Sequence, residues 1–292
     1  MVKDYETIIY DRKPPIGYLT LNRPTKLNAL SPILQLEVRD ALEYAGWKDS
    51  DIRVIILKGA GRAFSAGFDI SQVNRRDVVA TREGMLKGNR FTATIWWDVF
   101  WNNPKPIIAQ IHGFCIAGGM ATAVFCDLRI CAEDTLFGVP EVRMLGPYLP
   151  AIWPWMIGPT VARELLYTGN LIDAQEAYRI GLVNKVVPRD YLDEEVKRTA
   201  LTIAKVPQAI VEYNKKLVNM AYELMNVRLV TDRSMELEAA TVTSPQSVPE
   251  WAEFQRITQE QGLTAAIRWN SNRFAEEDAW WRTRNSGESQ GK

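Results

Sequence analysis

The sequence predicts an α/β fold that ends in a helical C-terminal part. Buried-strand patterns recur in the first two thirds of the chain, and a glycine turn with a helical pattern follows two of them. Helical periodicity dominates from about residue 192 onward. With 292 residues, 47% of them hydrophobic, the chain is long enough for one large domain or two small ones.

Strand and helix patterns alternate over the first 60 residues. β-prone runs at 7–10 and 18–21 predict a pair of strands joined by a turn. Ser31 followed by Pro32 is typical of the N-cap and first residue of a helix. The β-branched run at 53–57 predicts a buried strand.

The middle of the chain repeats strand, glycine turn and helix. A second buried strand is predicted at 106–112, and residues 71–103, polar and then aromatic, favour a helix. The other predicted elements are a short helix at 120–125, strands at 127–131, 135–138 and 182–187, and helices over most of 192–281, with Pro207, Pro245 and Pro249 as breaks. We therefore divide the chain into an α/β body at 1–205 and a helical part at 206–292, with a disordered tail at 286–292.

Charge and cysteine content exclude several classes of function. The chain has 35 basic and 35 acidic residues, so a net charge of zero gives no electrostatic signature for nucleic acid or an anionic membrane surface. Its apolar runs are too short to span a bilayer, and its first residues show no signal peptide. The three cysteines form no CxxC motif, which disfavours a zinc site or a disulfide framework. We expect a cytoplasmic protein with no metal site and no nucleic-acid or membrane partner.

The chain has one histidine, His112, so carboxylates are the main candidates for acid–base chemistry. One histidine excludes a multi-histidine metal site within the chain, and it makes any Ser-His-Asp or Cys-His device depend on that position. His112 precedes a glycine at a strand end, where a structural hydrogen bond is the expected role. Proton chemistry is therefore expected to use aspartate or glutamate.

Two glycine turns, at 64–69 and 112–119, follow the two buried strands. Glycine permits backbone conformations that aim N–H groups at a ligand, and a following helix adds its positive N-terminus. Two such N–H groups converging on one oxygen would form an oxyanion hole. Taken alone, the same glycines are also typical of plain turns, and neither run matches a phosphate loop.

A set of short strings extends the pattern over about 5–205. They are Lys26-Leu27-Asn28-Ala29-Leu30, Ala63-Phe64-Ser65-Ala66-Gly67-Phe68-Asp69-Ile70, Lys105-Pro106-Ile107-Ile108-Ala109-Gln110-Ile111-His112-Gly113, Ala117-Gly118-Gly119, Cys126-Asp127, Phe137-Gly138-Val139-Pro140-Glu141 and Leu166-Tyr167-Thr168-Gly169. In this order and spacing they resemble the crotonase (enoyl-CoA hydratase/isomerase) superfamily. The resemblance implies a spiral of ββα turns with a helical C-terminal trimerisation part. It also implies a homotrimer or homohexamer that binds an acyl-CoA thioester.

The resemblance also implies site residues. The backbone N–H groups of Phe68 and Gly118 match the family's oxyanion hole, which would hold the thioester oxygen of an enolate. Lys26 and Leu27 match the loop that contacts the adenosine part of CoA. Further contacts with substrate or CoA are expected at Ala66, Asp69, Ala121 and Trp153. No cofactor is implied, because CoA is part of the substrate.

The carboxylates depart from the family's hydratases, which carry two catalytic glutamates. Glu141 matches one of them, and Ala121 occupies the position of the other. Double-bond isomerisation needs one base, whereas hydration uses two groups, so Ala121 favours isomerisation unless Asp69 or another acid enters the pocket. Two alternatives remain open: a C–C bond hydrolase or lyase of the same fold, and a catalytically silent acyl-CoA-binding paralogue.

A second departure is the bulky run at 145–155, where the family has a glycine-rich turn. With Trp96, Trp97 and Trp101 it could line a pocket for a cyclic or branched acyl group, or these rings could simply pack in the core. Arg143 is a candidate polar group beside this run. The acidic cluster at 276–278 is expected to form a solvated helix face.

Overall fold

The computed structural model describes residues 4–70, 81–144, 151–242 and 249–285. Its strands are β1 (Ile8–Lys13), β2 (Ile16–Leu21), β3 (Val54–Gly59), β4 (Ala63–Ser65), β5 (Ile107–Ile111), β6 (Phe114–Ile116), β7 (Leu128–Ala132), β8 (Leu136–Gly138), β9 (Leu171–Asp173) and β10 (Lys185–Val187). Its α-helices are α1 (Pro32–Glu43), α2 (Arg82–Thr94), α3 (Gly118–Val124), α4 (Trp153–Ile157), α5 (Pro159–Thr168), α6 (Ala174–Arg179), α7 (Leu192–Lys205), α8 (Gln208–Leu224), α9 (Val227–Val242), α10 (Pro249–Gln261), α11 (Leu263–Asn272) and α12 (Ala275–Asn285). The predicted α/β class is confirmed.

The larger sheet has six strands in the order β1-β2-β3-β5-β7-β10. β1 and β2 are antiparallel, and the remaining neighbours are parallel. Along β3, Ile55 and Leu57 face the main hydrophobic core, whereas Val54 and Ile56 pack in a second cluster with α7. A parallel strand covered on both faces is apolar throughout, which explains why its run was recognisable in the sequence.

The smaller sheet has four strands in the order β4-β6-β8-β9. β4, β6 and β8 are parallel, and β9 is antiparallel to β8. Each of these strands has three residues, too few to show an alternating pattern, so the sequence prediction missed β4, β6 and β9. The parallel arrangement places the carboxyl ends of β4, β6 and β8 at one edge of this sheet.

Local chemistry decides where the predicted elements begin and end. Ser31 is the N-cap of α1, because its hydroxyl oxygen accepts a hydrogen bond from Leu34 N at 3.2 Å. The strand predicted at 182–187 is wrong in its first three residues. Leu182 and Val183 instead donate their backbone N–H groups to the carbonyl oxygen of Ala177, closing the turn after α6 before β10 begins.

The C-terminal part is helical, as predicted, and its helices differ in what they pack against. None of the 17 residues of α8, all of which the structure describes, is buried in the single chain. α9 packs along α2, whereas α10 and α11 form a separate cluster around Trp251 and Phe254. α10 begins at Pro249, while Pro245 and the predicted tail at 286–292 lie outside the described residues. The division at residue 205 stays a prediction.

None of the helices in the described ranges is both long and apolar enough to cross a membrane.

Candidate active site

Three loop residues follow three neighbouring parallel strands of the smaller sheet. Phe68 comes three residues after the end of β4, Gly118 two residues after β6, and Glu141 three residues after β8. Ala117 N donates a hydrogen bond to Gly138 O at 2.8 Å, which ties the loop after β6 to the end of β8. The carboxyl ends of parallel strands are the usual place for a ligand site in α/β folds. The structure thus brings the predicted Phe68, Gly118 and Glu141 to one edge.

The loops after β4 and β6 are in direct contact. Gly67 has a φ of +95°, and a Cβ atom built on it would lie 2.5 Å from Ala117 Cβ and 3.1 Å from Gly118 N. A side chain at this position would therefore collide with the second loop. Glycine is required here both for its backbone conformation and for the close approach of the two loops.

The two predicted oxyanion donors are available. Leu30 N donates to Gly67 O, and Asp69 N donates to Leu30 O, so this bridge leaves out the N–H of Phe68 between them. Gly118 is the first residue of α3, where helical N–H groups have no partner within the helix. Among the described residues, neither the Phe68 N–H nor the Gly118 N–H donates a backbone hydrogen bond. The assignment of these two groups as an oxyanion hole stays a prediction.

The predicted CoA loop lies against the first of these loops. Ala66 N donates to Leu27 O at 2.9 Å, and the buried Asn28 side chain donates to Ala63 O at 2.8 Å. Lys26 is exposed at the end of a 3₁₀ turn, Pro24–Lys26. The structure thus places Lys26, Leu27 and Ala66 together, and their contacts with a ligand stay predictions.

Asp69 is held by a buried ion pair. Its Oδ2 lies 2.7 Å from Arg23 Nη2, and the side chains of Asp69 and Arg23 are 5% and 19% exposed. The Arg23 guanidinium also donates to Ala29 O. The Arg23–Asp69 pair therefore links the segment that precedes the predicted CoA loop to the loop after β4, and a contact of Asp69 with a ligand stays a prediction.

Most of the aromatic residues considered as the lining of an acyl pocket pack in the core. The Phe68 ring is 38% exposed and lies 6.1 Å from the Trp96 ring, which stacks on Phe125. Trp96 Nε1 donates to Thr122 Oγ1 on α3 at 3.2 Å. Trp97, Trp101 and Trp153 belong to the main core, with Trp153 only 1% exposed, and Ala121 is fully buried. Residues 145–150 of the predicted run lie outside the described residues. The ligand roles of Ala121 and Trp153 stay predictions.

Glu141 is a buried carboxylate in the 3₁₀ turn Pro140–Arg143. Both of its oxygens are buried, and neither has a hydrogen-bond partner in the described part of the chain. Burial, helped by the negative charge of Glu238 and opposed by Glu141's own backbone N–H, raises the pKa of Glu141 to about 8. A carboxyl group of this kind can gain or lose a proton near neutral pH.

Glu238 is a second carboxylate with a raised pKa, half-buried in the fold, that the sequence analysis missed. It lies on α9, and its Oε2 accepts a hydrogen bond from Asn89 Nδ2 on α2 at 2.8 Å. Burial raises the pKa of Glu238 to about 7, although the Asn89 hydrogen bond opposes the shift. Its spacing of four from the buried Ser234 and seven from the buried Thr231 could have indicated an inward-facing glutamate.

Two polar residues have structural contacts. His112 Nε2 lies 3.0 Å from Gly61 O, which agrees with the structural role expected for it. Arg143 binds Asp278 on α12 through both nitrogens of its guanidinium end, at 2.9 and 3.0 Å. The expectation that the charges at 276–278 are simply solvated is therefore wrong for Asp278, because Arg143 provides a buried partner.

A surface groove of about 530 Å³ lies between α2 and α9. Its charged lining residues are Arg90, Asp98, Arg228, Asp232, Arg233 and Glu236. Phe68, Gly118, Glu141 and Glu238 are not part of its lining, and neither loop of the smaller sheet reaches it. We therefore place the candidate active site at the strand ends rather than in this groove. The described residues hold no cluster of three or more His, Cys, Asp and Glu side chains that could bind a metal ion.

Known proteins resemble this chain over most of its length. The family described as Enoyl-CoA hydratase/isomerase matches residues 11–256. A crotonyl-CoA hydratase of Syntrophomonas wolfei is 36% identical over 239 residues, which cover 80% of this chain and 88% of that protein. A hydroxycinnamoyl-CoA hydratase-lyase of Pseudomonas fluorescens is 36% identical over 194 residues, covering 65% of this chain and 70% of that protein. The crystal structure of an enoyl-CoA hydratase/isomerase from Xanthobacter autotrophicus Py2 superposes with a TM-score of 0.85 at 33% identity, covering 93% of this chain and 99% of that one.

Proposed function

The chain belongs to the enoyl-CoA hydratase/isomerase family and is an acyl-CoA enzyme of that type, and we propose how its own residues act. The backbone N–H groups of Phe68 and Gly118 hold the thioester oxygen, and Glu141 moves a proton at the acyl carbons. The observation that supports this best is the meeting of two available N–H donors and one unpartnered buried carboxylate at adjacent strand ends.

The two N–H groups stabilise the enolate that forms when the acyl chain gains or loses a proton or water. The contact between Gly67 and Ala117 holds both loops in place before the substrate arrives. A fixed donor needs no reorganisation in the transition state, and each is worth roughly 10²–10³ in rate.

Glu141 serves as the acid/base. Its buried carboxyl oxygens have no hydrogen-bond partner among the described residues, and its pKa of about 8 places the proton exchange close to neutral pH. The substrate is a CoA thioester, and no other cofactor takes part in the proposed reaction. A bulky or cyclic acyl group is favoured, because the exposed Phe68 ring lies beside the donors and against Trp96.

We include a homotrimer or homohexamer in the proposal, with the helical C-terminal part as the contact. α8 presents a row of apolar side chains that are at least half exposed in the single chain, namely Ile210, Tyr213, Leu217, Val218, Met220 and Leu224. Sedimentation of the purified protein tests this, and a monomer at micromolar concentration would contradict it. The cytoplasmic location stays a prediction.

The activity is tested with a panel of 2-enoyl and 3-enoyl CoA thioesters, straight-chain and cyclic, followed by mass spectrometry. A gain of one water indicates hydration, and an isobaric double-bond shift indicates isomerisation. Glu141→Gln is expected to lower turnover by roughly 10²–10⁴ while retaining CoA binding. Glu133→Gln, at an exposed position outside the site, is the matched control. Turnover by Glu141→Gln at the wild-type rate, or CoA binding without turnover anywhere in the panel, would contradict the mechanism.

A second reaction, C–C cleavage, is favoured by the similarity to the hydratase-lyase of Pseudomonas fluorescens. A hydrated 3-hydroxyacyl-CoA can break between C2 and C3 to give an aldehyde and acetyl-CoA, with the same two N–H groups stabilising the acetyl-CoA enolate. The same mass spectra test it, since acetyl-CoA formed from longer thioesters would be its product.

A further inference from the structure

The two residues whose N–H groups are the predicted oxyanion donors also touch through a side chain. A Cβ atom built on Gly118 would lie 2.8 Å from Phe68 Cε2 and 2.9 Å from Phe68 Cδ2. The Phe68 ring therefore lies directly on the backbone of Gly118, and a larger residue at 118 would collide with it. Whatever fixes this ring also restrains the glycine beneath it.

Trp96 is a buried support for the Phe68 ring. The two ring centroids lie 6.1 Å apart with the planes tilted by 53°, a favourable separation for an aromatic pair. Trp96 is 4% exposed, and its ring stacks on Phe125 at 5.5 Å with the planes 6° apart. Phe125 is itself buried and is the C-cap residue of α3. Trp96 is thus fixed against α3 while it contacts Phe68.

Trp96 also reaches Gly118, through the side chain of Thr122. Trp96 Nε1 donates to Thr122 Oγ1 at 3.2 Å, and Thr122 Oγ1 donates to Gly118 O at 2.8 Å. An indole N–H can only donate and a carbonyl oxygen can only accept, so the direction of the hydroxyl group is fixed. We call these two hydrogen bonds the Trp96–Thr122 bridge. Both side chains are buried, so water does not readily replace a bond that is lost.

The indole donor distinguishes Thr122 from an ordinary helical threonine. A threonine hydroxyl often bonds the carbonyl oxygen four residues earlier in a helix. Thr231 on α9 does so, with its Oγ1 3.0 Å from Val227 O and its side chain equally buried. At Thr122 the same kind of bond continues to Trp96 on one side and ends at a predicted oxyanion residue on the other.

The backbone before Gly118 shows why the bridge matters. The Gly118 N–H belongs to the peptide bond that follows Ala117, whose φ of +52° and ψ of −133° are disfavoured for a residue with a Cβ atom. Such a conformation persists only where neighbouring contacts hold it. Ala117 N donates to Gly138 O at 2.8 Å on one side, and the bridge fixes Gly118 O on the other. The bridge therefore helps to keep the Gly118 N–H in its direction.

We infer that Trp96 and Thr122 are positioning residues of the predicted oxyanion hole. Their bridge fixes Gly118, and the Trp96 ring supports Phe68, so one buried tryptophan acts on both donors. This inference rests on the proposed function, in which these two N–H groups hold the thioester oxygen. Hydrogen bonds to this oxygen strengthen as the enolate forms, so misplaced donors lower kcat more than they raise KM.

Thr122→Val removes the hydroxyl and keeps the branched shape of the side chain. With the fastest thioester of the panel, we expect kcat to fall by roughly 10–10²-fold while KM stays within about threefold of wild type. Thr122→Ser keeps a hydroxyl and is expected to recover most of the rate. Thr231→Val loses the same kind of buried bond away from the strand ends, and this matched control should stay within about twofold of wild type.

Trp96→Phe tests the other end of the bridge. It removes the indole N–H and retains an aromatic ring, so kcat is expected to fall as in Thr122→Val. Trp97→Phe is the matched control, because Trp97 is also buried against Phe125 and its Nε1 has no hydrogen-bond partner among the described residues. Since both changes break one bridge, the Trp96→Phe/Thr122→Val double variant should stay within about threefold of the slower single variant.

The carbonyl stretch of a bound thioester reports the donors directly. The probe is the saturated acyl-CoA that matches the fastest substrate of the panel, labelled with ¹³C at its carbonyl carbon and measured by difference infrared spectroscopy. Two N–H donors should lower the stretching frequency in the wild-type complex. We expect a smaller lowering in Thr122→Val and Trp96→Phe, and the wild-type value in Thr231→Val and Trp97→Phe. A purely structural role would not move this band.

The outcomes separate the bridge from the function on which it rests. A wild-type enzyme that converts no thioester, or that leaves the carbonyl band where it lies in water, would overturn the proposed function. A wild-type band at lowered frequency with kcat and band unchanged in Thr122→Val would overturn the bridge alone. Equal losses in Thr122→Ser or Thr231→Val, or losses that multiply in the double variant, would also overturn it. If Thr122→Val does not fold, the same band in Trp96→Phe and Trp97→Phe decides the question.

Discussion

Asp69 and Glu141 are carboxylates with buried oxygens on two loops at the same edge of the smaller sheet, and they differ in their partners. Asp69 lies against the guanidinium of Arg23, whereas neither oxygen of Glu141 has a partner among the described residues. The first arrangement fixes a charge and holds two loops together. The second keeps proton affinity high, so the carboxyl can exchange a proton near neutral pH. The presence or absence of a cation therefore separates a structural carboxylate from a reactive one.

The largest expected effect comes from removing the cation of the structural pair. Arg23→Met removes the guanidinium that lies against the buried Asp69 carboxylate, so we expect the free energy of unfolding to fall by about 3 kcal/mol at pH 7. Urea denaturation followed by circular dichroism measures this loss. Arg179→Met breaks an exposed pair with Glu176 and is expected to cost less than about 1 kcal/mol. Equal losses in the two variants would contradict the structural role of Arg23.

Removing the charge of Glu141, the reactive carboxylate, is expected to raise the stability of the folded protein at high pH rather than lower it. Because the pKa of Glu141 is raised to about 8 in the folded protein, its contribution to stability is complete below the ordinary glutamate pKa and is lost as the pH rises through about 8. Glu141→Gln removes this loss. Its melting temperature should match wild type near pH 4.5 and exceed it at pH 9 by at least about 3 °C, since 1 kcal/mol corresponds to roughly 2–4 °C.

Differential scanning fluorimetry between pH 4.5 and 9 checks this difference, with Glu133→Gln as the exposed control. The negative charge of Glu238 adds to the effect of burial on the pKa of Glu141. The variant Glu238→Gln is therefore expected to show the same trend with a smaller gain in melting temperature at pH 9. If the Glu141→Gln variant were equally or less stable than wild type at pH 9, a partner would have to stabilise the ionised carboxylate of Glu141 in the folded protein.

The sequence predicted Glu141 and missed Glu238, the other carboxylate with a raised pKa, for a physical reason. Glu141 follows a strand directly, so its place at the strand ends depends on a short stretch of chain. Glu238 is half-buried only because α9 packs on α2, and helix packing leaves little trace in a sequence with 35 acidic residues. Likewise, the covered strands β3 and β5 were visible as apolar runs, whereas β4, β6 and β9 are held by their neighbours and have too few residues to show a period.

The smallest predicted effect concerns a cation that stands near Glu141 without neutralising it. Arg143 comes two residues later, and its guanidinium binds Asp278, Asn170 Oδ1 and Thr168 O instead. Asp278→Asn weakens this anchor of α12, so we expect amide hydrogen exchange in α12 to accelerate about fivefold, equivalent to about 1 kcal/mol. Glu276→Gln, an exposed change on the same helix, should change the exchange by less than twofold. If Asp278→Asn instead removed the alkaline stability difference between Glu141→Gln and wild type, the released Arg143 would have reached Glu141, and the comparison would show that Asp278 keeps the reactive carboxylate free of a cation.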